Sequence, residues 1–263
     1  MNRLFRFEFA RARRGNLLFA LLAVFALFVG TTFFFAPSLV QAYHLEQGDA
    51  AVMSAFNSFA QFSVISLGPI YSYAFSRDFQ NGSYDFYPQI GVSPVRAVIS
   101  RATVLLICSW LGVLAVFAVA IIANDSSDIH ANVYAISYSL LAVAFVLVLS
   151  CAVSVFLRNP MFAVLALFIL FVIGSSVNYN FYGLTFQTDT SSFSTFMMGY
   201  LLGYDGISPQ IASLSLDFSL HGPFIALSLS IIWLLIAVGA AALGVRRLAK
   251  TNRYWDSTSN QGR

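Results

Sequence analysis

The stretch from 77 to 101 is the most distinctive part of this 263-residue chain, because it mixes charged with aromatic side chains around two turn signals. The signals are Asn81-Gly82 and Ser93-Pro94, and both are typical of loops. Between them lie the aromatic residues Tyr84, Phe86 and Tyr87. Aromatic anchors dominate the energetics of protein interfaces, so this stretch could bind another protein. The same rings would also suit the headgroup level of a membrane, and composition alone does not separate the two interpretations.

A second group of residues that could do chemistry is polar, uncharged and placed inside hydrophobic stretches. Asn57 and Gln61 are spaced i, i+4, which places them on one face of a helix, and Ser66 follows. Ser175 and Asn178 occupy the end of a later stretch. Polar groups are costly inside a membrane and usually face a bundle interior or water. These residues could therefore face a bundle interior or water, or they could join helices through hydrogen bonds.

The spacing of other reactive residues argues against catalysis, metal binding and ATP binding by this chain. Lys250 is the only lysine, and its surroundings lack the second glycine of a P-loop. His44, His130 and His221 are far apart and lack the spacing of a metal site. The sequence has no GxSxG motif and no acidic residue inside a predicted span, which disfavours a hydrolase or a proton-driven carrier. We therefore expect no enzyme activity, no catalytic residue, no metal and no bound cofactor, and an external source of energy.

The elements that hold these residues are predicted to be transmembrane helices. Hydrophobic residues make up 59% of the chain and charged residues 10%, against the quarter of charged residues that is usual in soluble domains. A helix needs about 20 apolar residues to cross a bilayer. Six stretches satisfy this requirement, at about 16–36, 55–76, 98–123, 132–157, 160–179 and 223–245. They predict an all-α membrane protein whose single domain covers 1–263.

The fourteen Lys and Arg residues fall in five clusters that can all lie on one side of the membrane. Cations near the ends of spans favour the cytoplasmic side, so both termini and the loop at 77–97 are predicted to be cytoplasmic in a cell-membrane protein. The cations form no exposed stripe with interleaved aromatics, so nucleic acid is not an expected partner. Between the fourth and fifth spans only Arg158-Asn159-Pro160 remains, and its proline suits the first turn of a new helix.

The first fifteen residues predict an amphipathic helix. One side would carry Arg3, Arg6, Arg13 and Arg14, and the other would carry Phe5, Phe9 and Ala12. Such a helix would lie in the membrane interface. The alternative is a basic flank that only orients the first span.

These features together resemble the type-2 ABC transporter permease family, the membrane subunits of ATP-binding-cassette exporters. The resemblance rests on the basic amphipathic start, the six spans, and a loop of the form Arg-Asp-x-x-x-Gly-Ser followed by Ser-Pro-Val-Arg. The residues that carry it are Asp78, Gly82, Ser83, Pro94, Arg96 and Arg101.

The resemblance implies a coupling loop after the second span that docks an ATPase. The candidate docking residues are Asp78, Gly82, Tyr84, Asp85, Tyr87, Pro94 and Arg96. It also implies that the second and fifth spans line the pathway, with candidate residues Asn57, Gln61, Ser66, Ser175 and Asn178. The segment 179–222 resembles a pair of short outer helices before the last span, although a plain amphipathic cover would fit its composition equally well.

The expected function is therefore that of a permease subunit of an ATP-driven exporter that moves a hydrophobic or amphipathic molecule, such as a lipid, peptide, drug or toxin. Its partners would be an ABC ATPase subunit, which binds ATP and magnesium, the lipid bilayer, and a second permease copy or a sister permease in a dimer. The alternative is a membrane protein that does not transport, such as a bacteriocin immunity factor or an assembly scaffold, and that binds its partner through 179–222.

Overall fold

A computed structural model of the chain describes residues 2–43, 46–124, 129–181, 231–232 and 234–247. All regular structure in these ranges is helical. In chain order the helices are α1 (Asn2–Arg14), α2 (Leu17–Tyr43), α3 (Gln47–Gln80), α4 (Ser83–Phe86), a 3₁₀ turn (Tyr87–Ile90), α5 (Pro94–Asn124), α6 (Ile129–Leu157) and α7 (Pro160–Phe181). A last helix covers 234–247. The all-helical expectation is confirmed for these residues.

Three helices are long and apolar enough to cross a membrane, namely Leu17–Gln41, Pro94–Asn124 and Ala135–Leu157. Large apolar side chains on their outer surfaces are exposed, and Phe34 and Ile122 are 75% and 77% exposed. So much exposed apolar surface is unusual on a soluble protein but suits contact with lipid. The chain is therefore a membrane protein. The number of six spans stays a prediction, because α3 contains more polar residues and the predicted span 223–245 lies partly outside the described residues.

The helix α3 lies at the centre of the bundle and packs against α2, α5, α6 and α7. Its buried side is rich in large residues, including Phe56, Phe59, Leu67, Tyr71 and Phe75, each fully buried. Burying such side chains is the main favourable contribution of packing to stability. The predicted second span, 55–76, lies inside this longer helix.

Contacts between side chains show how α2 and α6 run relative to α3. The ring centroids of Phe28 in α2 and Phe59 in α3 lie 4.8 Å apart. The hydroxyl oxygens of Thr31 in α2 and Ser58 in α3 lie 2.9 Å apart. The two helices are therefore antiparallel. The helix α6 instead runs parallel to α3. Its start meets α3 near Phe56, and near its end the Ser154 hydroxyl donates a hydrogen bond to the Ser72 carbonyl at 3.3 Å.

We call the end of the bundle where α3 and α6 finish and α5 and α7 begin the basic end. The turn between α6 and α7 lies there, and α7 begins at Pro160 as predicted, with the Asn159 side-chain oxygen accepting a hydrogen bond from the Met161 amide at 2.9 Å. The last helix reaches the same end, because Gly244 lies against Val155 of α6. The described cations of these turns and helix ends therefore lie at one end of the bundle. This agrees with the prediction that the clusters of Lys and Arg can all lie on one side of the membrane.

Candidate functional site at the basic end

The chain leaves α3 through a tight turn that depends on glycine. The Asn81 amide donates to the Arg77 carbonyl at 2.9 Å, and Gly82 then adopts a left-handed conformation with φ of 65° before α4 begins. This conformation costs little for glycine and is unfavourable for residues with a Cβ atom. Gly82, a predicted docking residue, therefore has a structural role in directing the chain away from α3.

The segment from Asn81 to Ser93, which we call the 81–93 loop, is folded rather than extended. It contains α4 and the 3₁₀ turn, and the Val92 amide donates to the Tyr87 carbonyl at 2.9 Å. The loop ends where α5 begins, with Pro94 in the first helical position and the Ser93 hydroxyl accepting a hydrogen bond from the Arg96 amide at 3.3 Å. The predicted turn signals at both ends of this loop thus correspond to a chain reversal and a helix start.

Two buried carboxylates lie behind this loop, one from α1 and one from α3. Glu8 is 2% exposed and Asp78 is 1% exposed. The Nη1 atom of Arg101, in α5, lies 3.2 Å from Glu8 Oε2 and 2.8 Å from Asp78 Oδ2. The Nη2 atom of Arg11, in α1, lies 2.5 Å from Asp78 Oδ1. Two anions and two cations therefore balance, as buried charges require.

Tyr87 of the 3₁₀ turn closes these contacts into a ring. Its hydroxyl donates to Glu8 Oε1 at 2.5 Å and accepts from Arg11 Nη1 at 3.3 Å. We call Glu8, Arg11, Asp78, Tyr87 and Arg101 the charge ring. Its members come from α1, the end of α3, the 81–93 loop and α5, so the ring joins all four at one point.

Burial and neighbouring charges change the pKa values of groups in the charge ring. Burial raises the pKa of Asp78, and the guanidinium groups of Arg101 and Arg11 oppose that rise. Burial also raises the pKa of Tyr87, as does its hydrogen bond to Glu8. The Tyr87 hydroxyl therefore keeps its proton and remains a donor at neutral pH. The ring contains no activated nucleophile, and its contacts suit a mechanical connection between elements.

The expectation that the loop aromatics form an exposed surface is wrong for the two tyrosines. Tyr84 and Tyr87 are each 4% exposed. The Tyr84 ring lies between Phe79 and Tyr87, with centroids 4.4 Å and 5.9 Å away. Burial, together with the nearby Asp78 carboxylate, raises the pKa of Tyr84. The physical reason for the difference is that these rings cover the charged groups of Glu8 and Asp78 and keep water from them.

The predicted docking residues thus separate into an inner and an outer set. Asp78, Tyr84 and Tyr87 belong to the inner set and hold the loop in place. Arg96 belongs to the outer set and is exposed, beside three exposed residues that were not predicted to dock, Arg77, Gln80 and Gln89. The side chain of Asp85 lies outside what the structure describes. Whether any residue of the outer set docks a partner stays a prediction.

The candidate pathway residues are described less completely. Ser66 is half-buried on α3, and its hydroxyl donates to the Phe62 carbonyl at 2.6 Å within the same helix. The side chains of Asn57, Gln61, Ser175 and Asn178 lie outside what the structure describes, although their backbones belong to α3 and α7. Most of the segment 179–222 also lies outside the described residues. The role of these residues in a pathway stays a prediction.

Sequence reasoning missed two members of the ring, Glu8 and Arg11. The signal was present, since Glu8 is the only acid in the basic helix α1, and Arg11 follows it by three positions. An isolated carboxylate among arginines is a candidate for a specific ion pair. Their partners in α3 and α5 could not be inferred from local spacing. Comparison of the chain with protein-family models gives no match, and comparison with curated proteins gives no significant match.

Proposed function

We propose that the chain is the permease subunit of an ATP-driven exporter of the type-2 ABC transporter kind, which moves a hydrophobic or amphipathic molecule across the cell membrane. The observation that carries this proposal is the charge ring. It fixes a short folded loop at the basic end to the central helix α3 and to α5. A loop held in this way moves together with the helices behind it.

Such a connection is what an ATP-driven permease needs. The chain lacks a P-loop of its own, so ATP and magnesium would bind to a partner ATPase, and the motion of that partner would have to reach the membrane through a protein contact. A flexible loop would absorb the motion. In this proposal the ATPase moves the 81–93 loop, the charge ring transmits the movement to α3 and α5, and a pathway opens along α3 and α7.

The proposal assigns different roles to the inner and outer residues of the loop. Exposed residues, of which Arg77, Gln89 and Arg96 are examples, would contact the ATPase. Asp78 and Tyr87 would be positioning residues that act through the ring. Six spans would form half of a pathway, so a second copy or a sister permease completes it. Both termini and the basic end would face the cytoplasm, in accordance with the preference of cations for that side.

Purification of the tagged chain from its host in mild detergent tests this proposal. We expect a soluble ATPase to co-purify in stoichiometric amount, and we expect the double variant Arg77→Glu and Arg96→Glu to lose it, because charge reversal at a docking surface is strongly unfavourable. The matched control is Arg158→Glu with Arg246→Glu, which makes the same charge change at the same end. Absence of an ATPase across several detergents would refute the proposal and favour a scaffold or immunity protein.

A further inference from the structure

The helix α1 has one side fixed against the protein and another side that no described residue covers. Glu8 and Ala12 are buried, and Leu4 and Phe5 pack against the core. On the opposite side Arg6, Arg13 and Arg14 are exposed, and so are Phe7 and Phe9, at 55% and 43%. We call these five residues the outward face of α1. It differs from the sequence prediction in two respects: Phe5 and Ala12 face the protein, and Phe9 lies on the same exposed face as the arginines.

We propose that the outward face of α1 binds the headgroups of anionic phospholipids. The charge of this face favours an anionic partner. The only acid of α1 is Glu8, which is buried in the charge ring and paired there with Arg101 and the partly exposed Arg11. The outward face therefore carries three guanidinium groups and no carboxylate, and none of the three has an ion-pair partner among the described residues.

The orientation of α1 relative to the bundle is fixed. The charge ring holds Glu8 and Arg11 inward through contacts with α3, α5 and the 81–93 loop. Rotation of α1 to bury the outward arginines would break these contacts and expose two paired charges. The outward face is therefore presented permanently, as a preorganised binding surface should be.

The end of α1 lies close to the start of a candidate membrane span. The helix α1 ends at Arg14 and α2 begins at Leu17, with only a two-residue turn in which Asn16 adopts a φ of 57°. The helix α2 is one of the candidate spans. Arg13 and Arg14 therefore lie within a few residues of the point where the chain enters the bilayer, which is the level of the phosphate groups.

The exposed aromatic rings of α1 favour a lipid over an acidic protein as the partner. Phe7 and Phe9 are exposed beside the arginines, so aromatic rings and guanidinium groups share one face of the helix. A mixture of aromatic rings and arginines fits the boundary between headgroups and acyl chains, where the ring can enter the apolar layer and the guanidinium can reach a phosphate. This inference does not depend on whether the chain transports anything.

The test measures which lipids the full-length protein retains. The tagged chain is equilibrated in mixed micelles of phosphatidylcholine and phosphatidylglycerol, recovered, and its bound lipids are quantified by mass spectrometry. We expect enrichment of phosphatidylglycerol, and we expect Arg6→Gln with Arg13→Gln to reduce it by about fivefold for each arginine removed. The matched control is Arg158→Gln with Arg246→Gln, which removes the same charge from the same end and should retain the enrichment.

Both variants replace exposed side chains, so unchanged thermal midpoints will verify that each remains folded. Equal enrichment in the wild type and in the Arg6→Gln, Arg13→Gln variant would overturn the proposal. An equal loss in the two double variants would also overturn it, because general attraction to the basic end would then be sufficient. If the wild type shows no enrichment but loses a co-purifying acidic protein when Arg6 and Arg13 are replaced, the face binds protein rather than lipid.

Discussion

Arg101 is the more buried of the two cations in the charge ring, and it contacts both buried carboxylates. Its Nη1 atom lies 3.2 Å from Glu8 and 2.8 Å from Asp78. Without it, two carboxylates that are almost fully buried would share the single cation of Arg11. Removing one partner of a buried ion pair is much more costly than removing an exposed charge, because the remaining charge is left without compensation.

We therefore predict that Arg101→Met lowers the free energy of unfolding by about 3 to 5 kcal/mol. The control is Arg96→Met in the same helix, where the side chain is exposed and the expected change is within about 0.5 kcal/mol. Thermal unfolding of both variants in mild detergent measures the difference. Similar midpoints for the two variants would show that the ring contributes little to stability.

The pKa of Asp78 gives a second prediction at the residue scale. Burial raises this pKa above its ordinary value of 3.8, so ionising Asp78 costs more in the folded chain than in the unfolded chain. The cost is absent below pH 3.8, where both states are protonated, and it is fully present above the pKa of the folded state. The contribution of Asp78 to stability should therefore fall as the pH rises through that window.

The variant Asp78→Asn lacks this titration and serves as the reference. We expect the thermal midpoint of the wild type, relative to that of Asp78→Asn, to decrease as the pH rises from below 3.8 through the raised pKa of Asp78 in the folded chain. The opposite slope would show that attraction to Arg11 and Arg101 outweighs burial and lowers the pKa. Measuring both proteins across the same pH series removes the effects of other titrating groups.

At the scale of the elements, the packing of α2 on α5 depends on a glycine. A Cβ atom added to Gly112 would lie 2.4 Å from the ring of Phe25, well inside van der Waals contact. The absence of a side chain at Gly112 therefore lets the ring lie directly against the backbone of α5. Small residues allow this kind of close helix approach inside membranes.

We predict that Gly112→Ala destabilises the protein by about 1 to 3 kcal/mol through overpacking, and that adding Phe25→Leu restores part of the loss. The comparison variant is Gly30→Ala, because a Cβ atom at Gly30 meets nothing within 4 Å. Thermal midpoints in one detergent provide the measurement. An unchanged midpoint for Gly112→Ala would mean that the ring moves aside without cost.

Local signals predicted the elements well and their contacts poorly. The start of α7 at Pro160 and the loop between Gly82 and Ser93 follow from proline, glycine and serine chemistry that acts within a few residues. The inward orientation of Tyr84 and Tyr87 depends instead on Glu8, which lies 79 positions from its partner Tyr87. Local periodicity cannot identify a pairing across such a distance, so the sequence alone left the two tyrosines as candidates for an exposed surface.

The whole molecule combines exposed apolar helix surfaces with a concentration of arginines at one end. Apolar side chains on α2, α5 and α7 are exposed, while the described arginines of the turns and of α1 lie at the basic end. Such a distribution fits a protein embedded in a bilayer. The 81–93 loop is the part of that end that the charge ring connects to the centre of the bundle.

The most direct test of the proposed function is photo-crosslinking from Gln89, an exposed residue of the 81–93 loop, in intact host cells. A photoreactive amino acid at position 89 should crosslink the chain to a soluble ATPase, and the same amino acid at position 158, in the turn between α6 and α7, should do so much less. The proposed function would be contradicted if neither position gave a crosslink and a position between 179 and 222 captured a partner instead. That result would indicate a binding protein that does not transport.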